Sequence, residues 1–154
     1  MRLRVTRRAL LVAAAVVWAI APGLPVASAV TGPDYSPPPG ALNPSVTQAN
    51  IASTICVRGW TRTVRPPLSY TSRLKREQMR ERHLPGSTAD YEEDHLIPLE
   101  LGGHPTEPRN LWPEPIEQAH RKDRWELALN RAVCGGRMTL SSARQKIADP
   151  ALWR

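Results

Sequence analysis

The chain has 154 residues and a formal net charge of +7, from 21 Lys and Arg against 14 Asp and Glu. This length fits a single domain, and no internal repeat points to a solenoid or a propeller. The positive charge suits a polyanionic partner such as nucleic acid, but charge alone does not establish one.

The first 29 residues have the organisation of a secretory signal peptide. Four arginines at the start precede an apolar run over 9–21, and Ala27-Ser28-Ala29 is a small-residue cleavage signature. A membrane anchor is the alternative, but the run is shorter than the ~20 residues of a span. Cleavage after Ala29 would leave 125 residues (154 − 29) with a net charge of +3 (7 − 4), secreted or held in the cell envelope without a membrane segment.

Residues 30–45 are rich in proline and glycine and predict an extended tether with little order before Val46. The domain is therefore expected over 46–154. Its first part predicts a short helix over 46–55, capped by Ser45 or Thr47, and an extended segment over 61–67. A helix is expected over 73–83, with Thr71 or Ser72 as its N-cap.

Two cysteines, Cys56 and Cys134, are the only ones in the chain. An even count in a secreted protein predicts a disulfide between them, and free buried thiols are the alternative. The bond would close a loop of 78 residues and stabilise the fold by about 3–5 kcal/mol in the chain-entropy model.

The central segment over 91–133 carries the candidate chemistry. Tyr91 to Leu101 favours β structure, Gly102-Gly103 predicts a turn, and 110–112 predicts a second short extended piece. A helix is expected over 115–133, with Trp125 on a core-facing side and His120 on a side facing the hairpin. A last helix is expected over 141–148. Trp112 and Trp125 are expected in the core.

Phosphodiester hydrolysis needs a base for water, a cation for the developing charge and a group that orients the base. His95 is the candidate general base because imidazole titrates near neutral pH. Asp94 and His120 are the candidate ligands of one divalent metal, for which we expect Mg²⁺, with Mn²⁺, Ni²⁺ or Zn²⁺ as alternatives. Asn110 is expected to orient His95.

These residues resemble the HNH endonucleases. The similarity lies in Asp94-His95-Leu96-Ile97-Pro98-Leu99, Gly102-Gly103, Asn110-Leu111 and His120 with Lys122 beyond it. It implies an α+β fold with a ββα-metal core, here at about 89–133, formed by a β-hairpin and a helix with short flanking helices. It also implies the roles given above: His95 as base, Asp94 and His120 as metal ligands, and Asn110 as the orienting residue.

Two departures from the family pattern matter. The CxxC pairs that bind a bracing zinc in many HNH proteins are missing, and the Cys56–Cys134 bond is expected to replace that brace. The helix lacks the usual cysteine before His120, so Asp123 is an alternative ligand, and Glu93 is a further candidate near the metal.

The sequence therefore predicts a secreted HNH-like endonuclease that cuts DNA, with RNA as an alternative substrate, and has little sequence preference. Arg121, Lys122 and Arg124 on the helix are expected to contact the phosphate backbone. One alternative is a non-catalytic module that uses a metal as a structural clip and binds nucleic acid or a protein partner. Another is an envelope protein in which Asp94 and His95 are structural.

Overall fold

The structure, a computed structural model, describes residues 32–154. The predicted signal peptide over 1–29 and the first two residues of the predicted tether lie outside the described residues. Within them, helices combine with one two-stranded antiparallel sheet, so the α+β class is confirmed. No helix among these residues has the length and apolar character needed to cross a membrane.

Four α-helices and two strands follow one another within residues 32–154. The helices are α1 (Trp60–Val64), α2 (Leu68–Glu81), α3 (Ile116–Cys134) and α4 (Leu140–Ala148), and the strands are β1 (Tyr91–His95) and β2 (Leu111–Pro115). Short 3₁₀ turns at Gln48–Ser53, Thr88–Asp90, Leu99–Leu101, Pro108–Asn110 and Pro150–Leu152 connect them. The order β1, β2, α3 places a helix directly after a hairpin, and α3 packs against both strands.

The hairpin pairs Tyr91 with Pro115 at one end and His95 with Leu111 at the other. The connection between the strands turns at the predicted glycines. Gly102 has a left-handed φ of 71°, and a Cβ on Gly103 would overlap the carbonyl oxygen of Ile97. Both positions therefore need glycine, which lets the chain fold back closely enough for β2 to pair with β1.

The core lies between the hairpin, α3 and α4. It is formed by Val46, Ile55, Leu96, Ile97, Leu101, Trp112, Leu129, Val133, Leu140, Ala143, Ile147 and Trp153. Trp112 is buried as predicted, but the prediction for Trp125 is wrong, because this side chain is 42% exposed. The buried face of α3 contains Ala119, Lys122, Leu129 and Val133. The buried face of α3 was predicted wrongly because a hydrophobic pattern does not count a lysine as a core position.

The segment over 61–67 is not extended as predicted. Its first part belongs to α1, which begins after Gly59 in a left-handed conformation with φ 86°, and the prolines at 66 and 67 end it. The weak β preference of Thr and Val is overridden by this local turn. Helix α2 begins at Leu68 with Pro67 as its N-cap, five residues before the predicted start.

The predicted tether also differs from the structure, because part of it is bound to the domain. We call residues 40–43 the N-terminal strap. The Gly40 amide donates to Arg109 O at 2.9 Å, and Leu42 forms a β-bridge with Gly103. Composition shows that this segment cannot pack a core of its own, but it does not show that the loop between β1 and β2 supplies hydrogen-bond partners.

The predicted disulfide is confirmed. Cys56 and Cys134 are joined, with their Cα atoms 5.5 Å apart. The bond fixes the last residue of α3 to the segment that follows the first 3₁₀ turn, so one end of the long helix is covalently anchored.

Candidate active site

His95 ends β1, and its side chain is held in one orientation. The residue is 5% exposed, and its Nε2 lies 3.0 Å from the carbonyl oxygen of Pro105. A carbonyl oxygen only accepts, so Nε2 carries the proton and the lone pair of the neutral ring lies on Nδ1. Burial is the largest cause of a lowered pKa at His95. The hydrogen bond to Pro105 and the charge of Asp94 oppose it, and the charges of Arg65 and Lys122 act in the same direction as burial. The neutral ring, which can accept a proton, is therefore favoured.

A cleft of about 270 Å³ opens beside His95, between β1 and the start of α2. Its lining residues are Arg65, Pro66, Leu68, Thr71, Glu92 and His95. The cleft therefore brings together an imidazole, a carboxyl group, a hydroxyl group and an exposed guanidinium. Burial is the largest cause of a raised pKa at Glu92, followed by repulsion from Asp94 and Asp123. Arg65 was not predicted as part of the site, because it precedes His95 by thirty residues and reaches the cleft only through the fold of α1 and α2.

Asp94 precedes His95, and both of its carboxylate oxygens are engaged. Oδ1 accepts from the backbone amide of His95 at 2.7 Å, and Oδ2 accepts from Lys122 Nζ at 2.7 Å. Burial opposes ionisation, but the adjacent Lys122 ammonium, through its charge and its hydrogen bond, holds the pKa of Asp94 below its usual value. Asp94 is therefore a charged partner of a lysine.

Lys122 does not lie on a nucleic-acid surface, which corrects the sequence prediction. It is completely buried on the hairpin side of α3, and Nζ also donates to His95 O at 2.8 Å and to Glu126 Oε1. Burial works against its charge, but the charges of Asp94 and Glu126 raise its pKa above the ordinary value. Lys122 thus connects α3 to the residue that carries the candidate base.

Two further carboxyl groups, those of Glu114 and Glu126, border the Lys122–Asp94 pair. Neither was predicted from the sequence. Glu114 is fully buried on β2, and burial, together with the neighbouring Asp94 carboxylate, raises its pKa to about 9. It therefore carries a proton at neutral pH and can donate to Asp94, while Gln118 Nε2 donates to its Oε1 at 2.9 Å. Glu126 could have been predicted as a partner of Lys122 from sequence, because residues four apart on a helix are neighbours.

His120 lies away from this cluster. It is exposed, and on an α-helix it points about 160° away from Lys122. The structure therefore does not bring His120 and Asp94 together as the expected pair of metal ligands. Among the neighbouring basic residues, Arg121 Nε donates to Trp153 O at 3.2 Å, whereas Arg124 is exposed. Of the three predicted phosphate contacts, Arg124 alone is both exposed and without a hydrogen bond to the described residues.

The residues present do not fit the expected metal. A cation bound by Asp94 would have to displace the Lys122 ammonium from Oδ2. Residues 32–154 contain no group of three or more His, Cys, Asp or Glu side chains arranged to hold a metal ion. The alternative ligands do not complete the set. Asp123 is exposed, and Glu93 lies near Lys75 and Arg82 on the α2 side of the strand.

Asn110 is completely buried just before β2 and braces the loop beside His95. Its Oδ1 accepts from the amide of Ile97 at 3.0 Å and from the strap amide of Ala41 at 3.3 Å. Its Nδ2 donates to Ile97 O and to His104 O, both at 3.0 Å. It makes no bond to the His95 ring. It fixes the loop next to Pro105, whose carbonyl oxygen orients that ring, so any orienting effect is indirect.

Comparison with known proteins gives no further constraint. No family model matches the chain, and neither the curated proteins nor the solved structures contain a match. The similarity to HNH endonucleases therefore rests on the motif residues themselves.

Proposed function

We propose that this protein is an HNH-like enzyme that cleaves phosphodiester bonds of nucleic acid, with His95 as the general base. The observation that carries the proposal is the orientation of His95. Its Nε2–H is committed to Pro105 O, which leaves the lone pair of Nδ1 available in a ring that borders the cleft. A positioned imidazole of this kind contributes ~10²–10⁴-fold to the rate of a proton-transfer step.

The cleft supplies a second element of the chemistry. Nδ1 of His95 removes the proton of the attacking hydroxyl group or water. The guanidinium of Arg65 lies close enough to influence His95 electrostatically, and it faces the negative charge of the phosphate. Asn110 and the Pro105 carbonyl hold the loop and the ring in place. We assign no step to a divalent metal, because the expected ligands do not fit one.

The protein is proposed to act outside the cytoplasm. The Cys56–Cys134 bond is of the kind that persists in oxidising compartments, which agrees with the signal peptide predicted over 1–29. Because the cleft binds a phosphate through charge and no recognition element is predicted, we expect weak sequence preference.

Incubation of the oxidised protein with plasmid DNA and with RNA tests the proposal, in Mg²⁺, Mn²⁺, Ni²⁺, Zn²⁺ or EDTA. We expect cleavage that falls by about 10²–10⁴-fold in His95→Gln. Glutamine is used because it keeps a polar side chain in the buried position. The control is His83→Asn, which removes an exposed histidine with φ 53° and replaces it by a residue that tolerates this conformation. Equal activity of wild type and His95→Gln would refute the proposal.

A binding module is the second candidate, and the Lys122–Asp94 ion pair favours it. A buried pair that joins α3 to β1 is sufficient to explain why Asp94 is charged, without any catalysis. In this case the protein would bind nucleic acid without cutting it, and His95→Gln would leave the affinity unchanged. Gel-shift titration of the same two proteins, combined with the cleavage assay, separates the candidates. Equal binding without cleavage by either protein supports the binding module, whereas equal binding with cleavage lost in His95→Gln supports the enzyme.

A further inference from the structure

The cluster between the hairpin and α3 is built around one ammonium group. Lys122 Nζ has three protons, and the structure gives it three oxygen acceptors: Asp94 Oδ2 at 2.7 Å, His95 O at 2.8 Å and Glu126 Oε1. Glu114 lies on the other side of Asp94. The lysine side chain is 0% exposed, and the Asp94 side chain is 13% exposed. All hydrogen-bonding capacity of the ammonium is therefore used inside the protein.

The oxygen atoms around Lys122 Nζ are of the kind that bind a metal cation, but here the bound cation is the ammonium group of Lys122 itself. Hard divalent ions bind to carboxylate and carbonyl oxygens, and these are the groups that surround Lys122 Nζ. A metal at the same position would meet a fixed positive charge within hydrogen-bonding distance of Asp94. Because the ammonium is buried with a charged partner, its removal would leave Asp94 uncompensated. The position is therefore closed to a metal as long as Lys122 is present.

We propose that the Lys122 ammonium is the permanent cation of this centre, and that the phosphodiester cleavage proposed above is therefore independent of metal and directed at RNA. This inference rests on the proposed function for its catalytic part. Lys122 does not reach the substrate. It is a positioning residue that holds the backbone of His95.

The restriction to RNA follows from the chemistry of the two nucleic acids. Without a metal to activate water and stabilise the leaving oxygen, cleavage depends on a nucleophile already positioned in the substrate, and only RNA has a 2′-hydroxyl group. His95 removes the proton of this hydroxyl, the 2′-oxygen bonds to phosphorus, and the bond from phosphorus to the 5′-oxygen breaks. The 5′-oxygen takes a proton from a water molecule in the cleft, and His95 returns its proton to the hydroxide that forms. The products are a 2′,3′-cyclic phosphate and a 5′-hydroxyl end.

The first experiment compares substrates that differ only at the 2′ position. Oxidised full-length protein is incubated in EDTA or Mg²⁺ with an RNA oligonucleotide, the same sequence as DNA, and the DNA with one ribonucleotide. We expect equal cleavage of RNA in EDTA and Mg²⁺, DNA cleavage slower by at least about 100-fold, and a single cut 3′ of the ribonucleotide. Mass spectrometry should show the 2′,3′-cyclic phosphate.

Each other outcome of this experiment is decisive. Cleavage of DNA, or cleavage of either substrate only with metal, would overturn the inference and leave the proposed function intact. Absence of cleavage beyond that of a parallel His95→Gln preparation would overturn the proposed function, and the metal-free cleavage of RNA with it.

The second experiment tests the cation itself, with Mn²⁺ as the probe and the melting temperature as the readout. Wild type should shift by less than about 1 °C with Mn²⁺, because its cation position is filled. Lys122→Ala leaves the carboxyl groups of Asp94 and Glu126 and the carbonyl oxygen of His95 around an empty position, and Mn²⁺ should raise its melting temperature. The double variant Asp94→Asn/Lys122→Ala should lose this response.

The wild-type titration decides the question even if Lys122→Ala does not fold. Saturable binding of Mn²⁺ by wild type that Asp94→Asn abolishes would show that a metal can share the centre with Lys122, and it would overturn the inference. Absence of such binding, measured by calorimetry at the same protein concentration, would support it.

Discussion

Glu93 and Asp94 are neighbours on β1, but their side chains lie on opposite faces of the hairpin. On the α3 face, Asp94 is ionised and bonded to a buried lysine. On the α2 face, neither side-chain oxygen of Glu93 has a hydrogen-bond partner in the described part of the chain, and burial raises its pKa to about 8. On the α3 face, the Asp94–Lys122 ion pair thus fixes the strand against α3. The other face, which His95 shares with Glu93, keeps proton-accepting atoms without a hydrogen-bond partner among residues 32–154, namely the carboxyl oxygens of Glu93 and Nδ1 of His95.

This contrast suggests a division of tasks within five residues of β structure. The α3 face stabilises the fold and holds the backbone of His95. The α2 face adjoins the cleft, where a group must be able to gain and lose a proton. A strand with both faces paired would be more rigid, but it would have no titratable group to offer a substrate.

The largest change in stability is expected from Lys122→Met, which removes the ammonium group from the α3 face and keeps most of the side-chain volume. It leaves Asp94 buried without its charged partner, so we expect a loss of about 3–5 kcal/mol in the free energy of unfolding. Urea titration followed by circular dichroism measures it. Lys75→Met is the matched control, because Lys75 Nζ donates to the carbonyl oxygens of Thr88 and Tyr91 and should cost about 1–2 kcal/mol. Equal losses would show that the two faces do not differ.

A smaller effect is expected from Glu93→Gln, and it depends on pH. The folded-state pKa of Glu93 is raised, so its proton stabilises the fold fully below the ordinary value near 4.5, and this contribution is lost as the pH rises through about 8. Glutamine cannot ionise. The variant should therefore gain about 1–3 kcal/mol relative to wild type between pH 5 and pH 9.

Thermal melting over this pH range tests the prediction for Glu93. Glu81→Gln is the control, because it makes the same substitution at an exposed side chain. Parallel stability profiles for wild type and Glu93→Gln would mean that Glu93 has a partner in solution, and the difference between the two faces would disappear.

The smallest effect is expected from His120→Ala. His120 is exposed on the side of α3 away from Asp94, so the free energy of unfolding should change by less than about 0.5 kcal/mol, with cleavage unaffected. Urea titration and the cleavage assay used for His95→Gln measure both. A loss of activity as large as that of His95→Gln would restore His120 to the site and place the helix in a different orientation.

Local features of the fold were predictable from sequence where local chemistry determines them. The glycines at 102 and 103 mark the turn because a side chain does not fit there. The two cysteines were expected to pair because the sequence predicts a secreted chain, and the structure joins them. The short helix α1 was not predictable, because one turn of helix depends on Gly59 more than on propensities that differ by less than ~1 kcal/mol.

The candidate site was predictable only in part for a related reason. Asp94, His95 and Asn110 lie within one short segment, 94–110, whereas Arg65 reaches the cleft through the packing of α1 and α2. The face of α3 was misassigned because Lys122 was taken as a surface residue. Its burial depends on Asp94, which is 28 residues away in sequence, and such a partnership becomes visible only after the chain has folded.

The disulfide has a consequence for a chain exposed to proteases. The Cys56–Cys134 bond closes the backbone between these residues into a covalent ring that contains both strands, α2 and α3. A single peptide-bond cut anywhere inside this ring leaves the two pieces joined. Arg65, His95 and Lys122 all lie within it, so one nick cannot release any of them from the others.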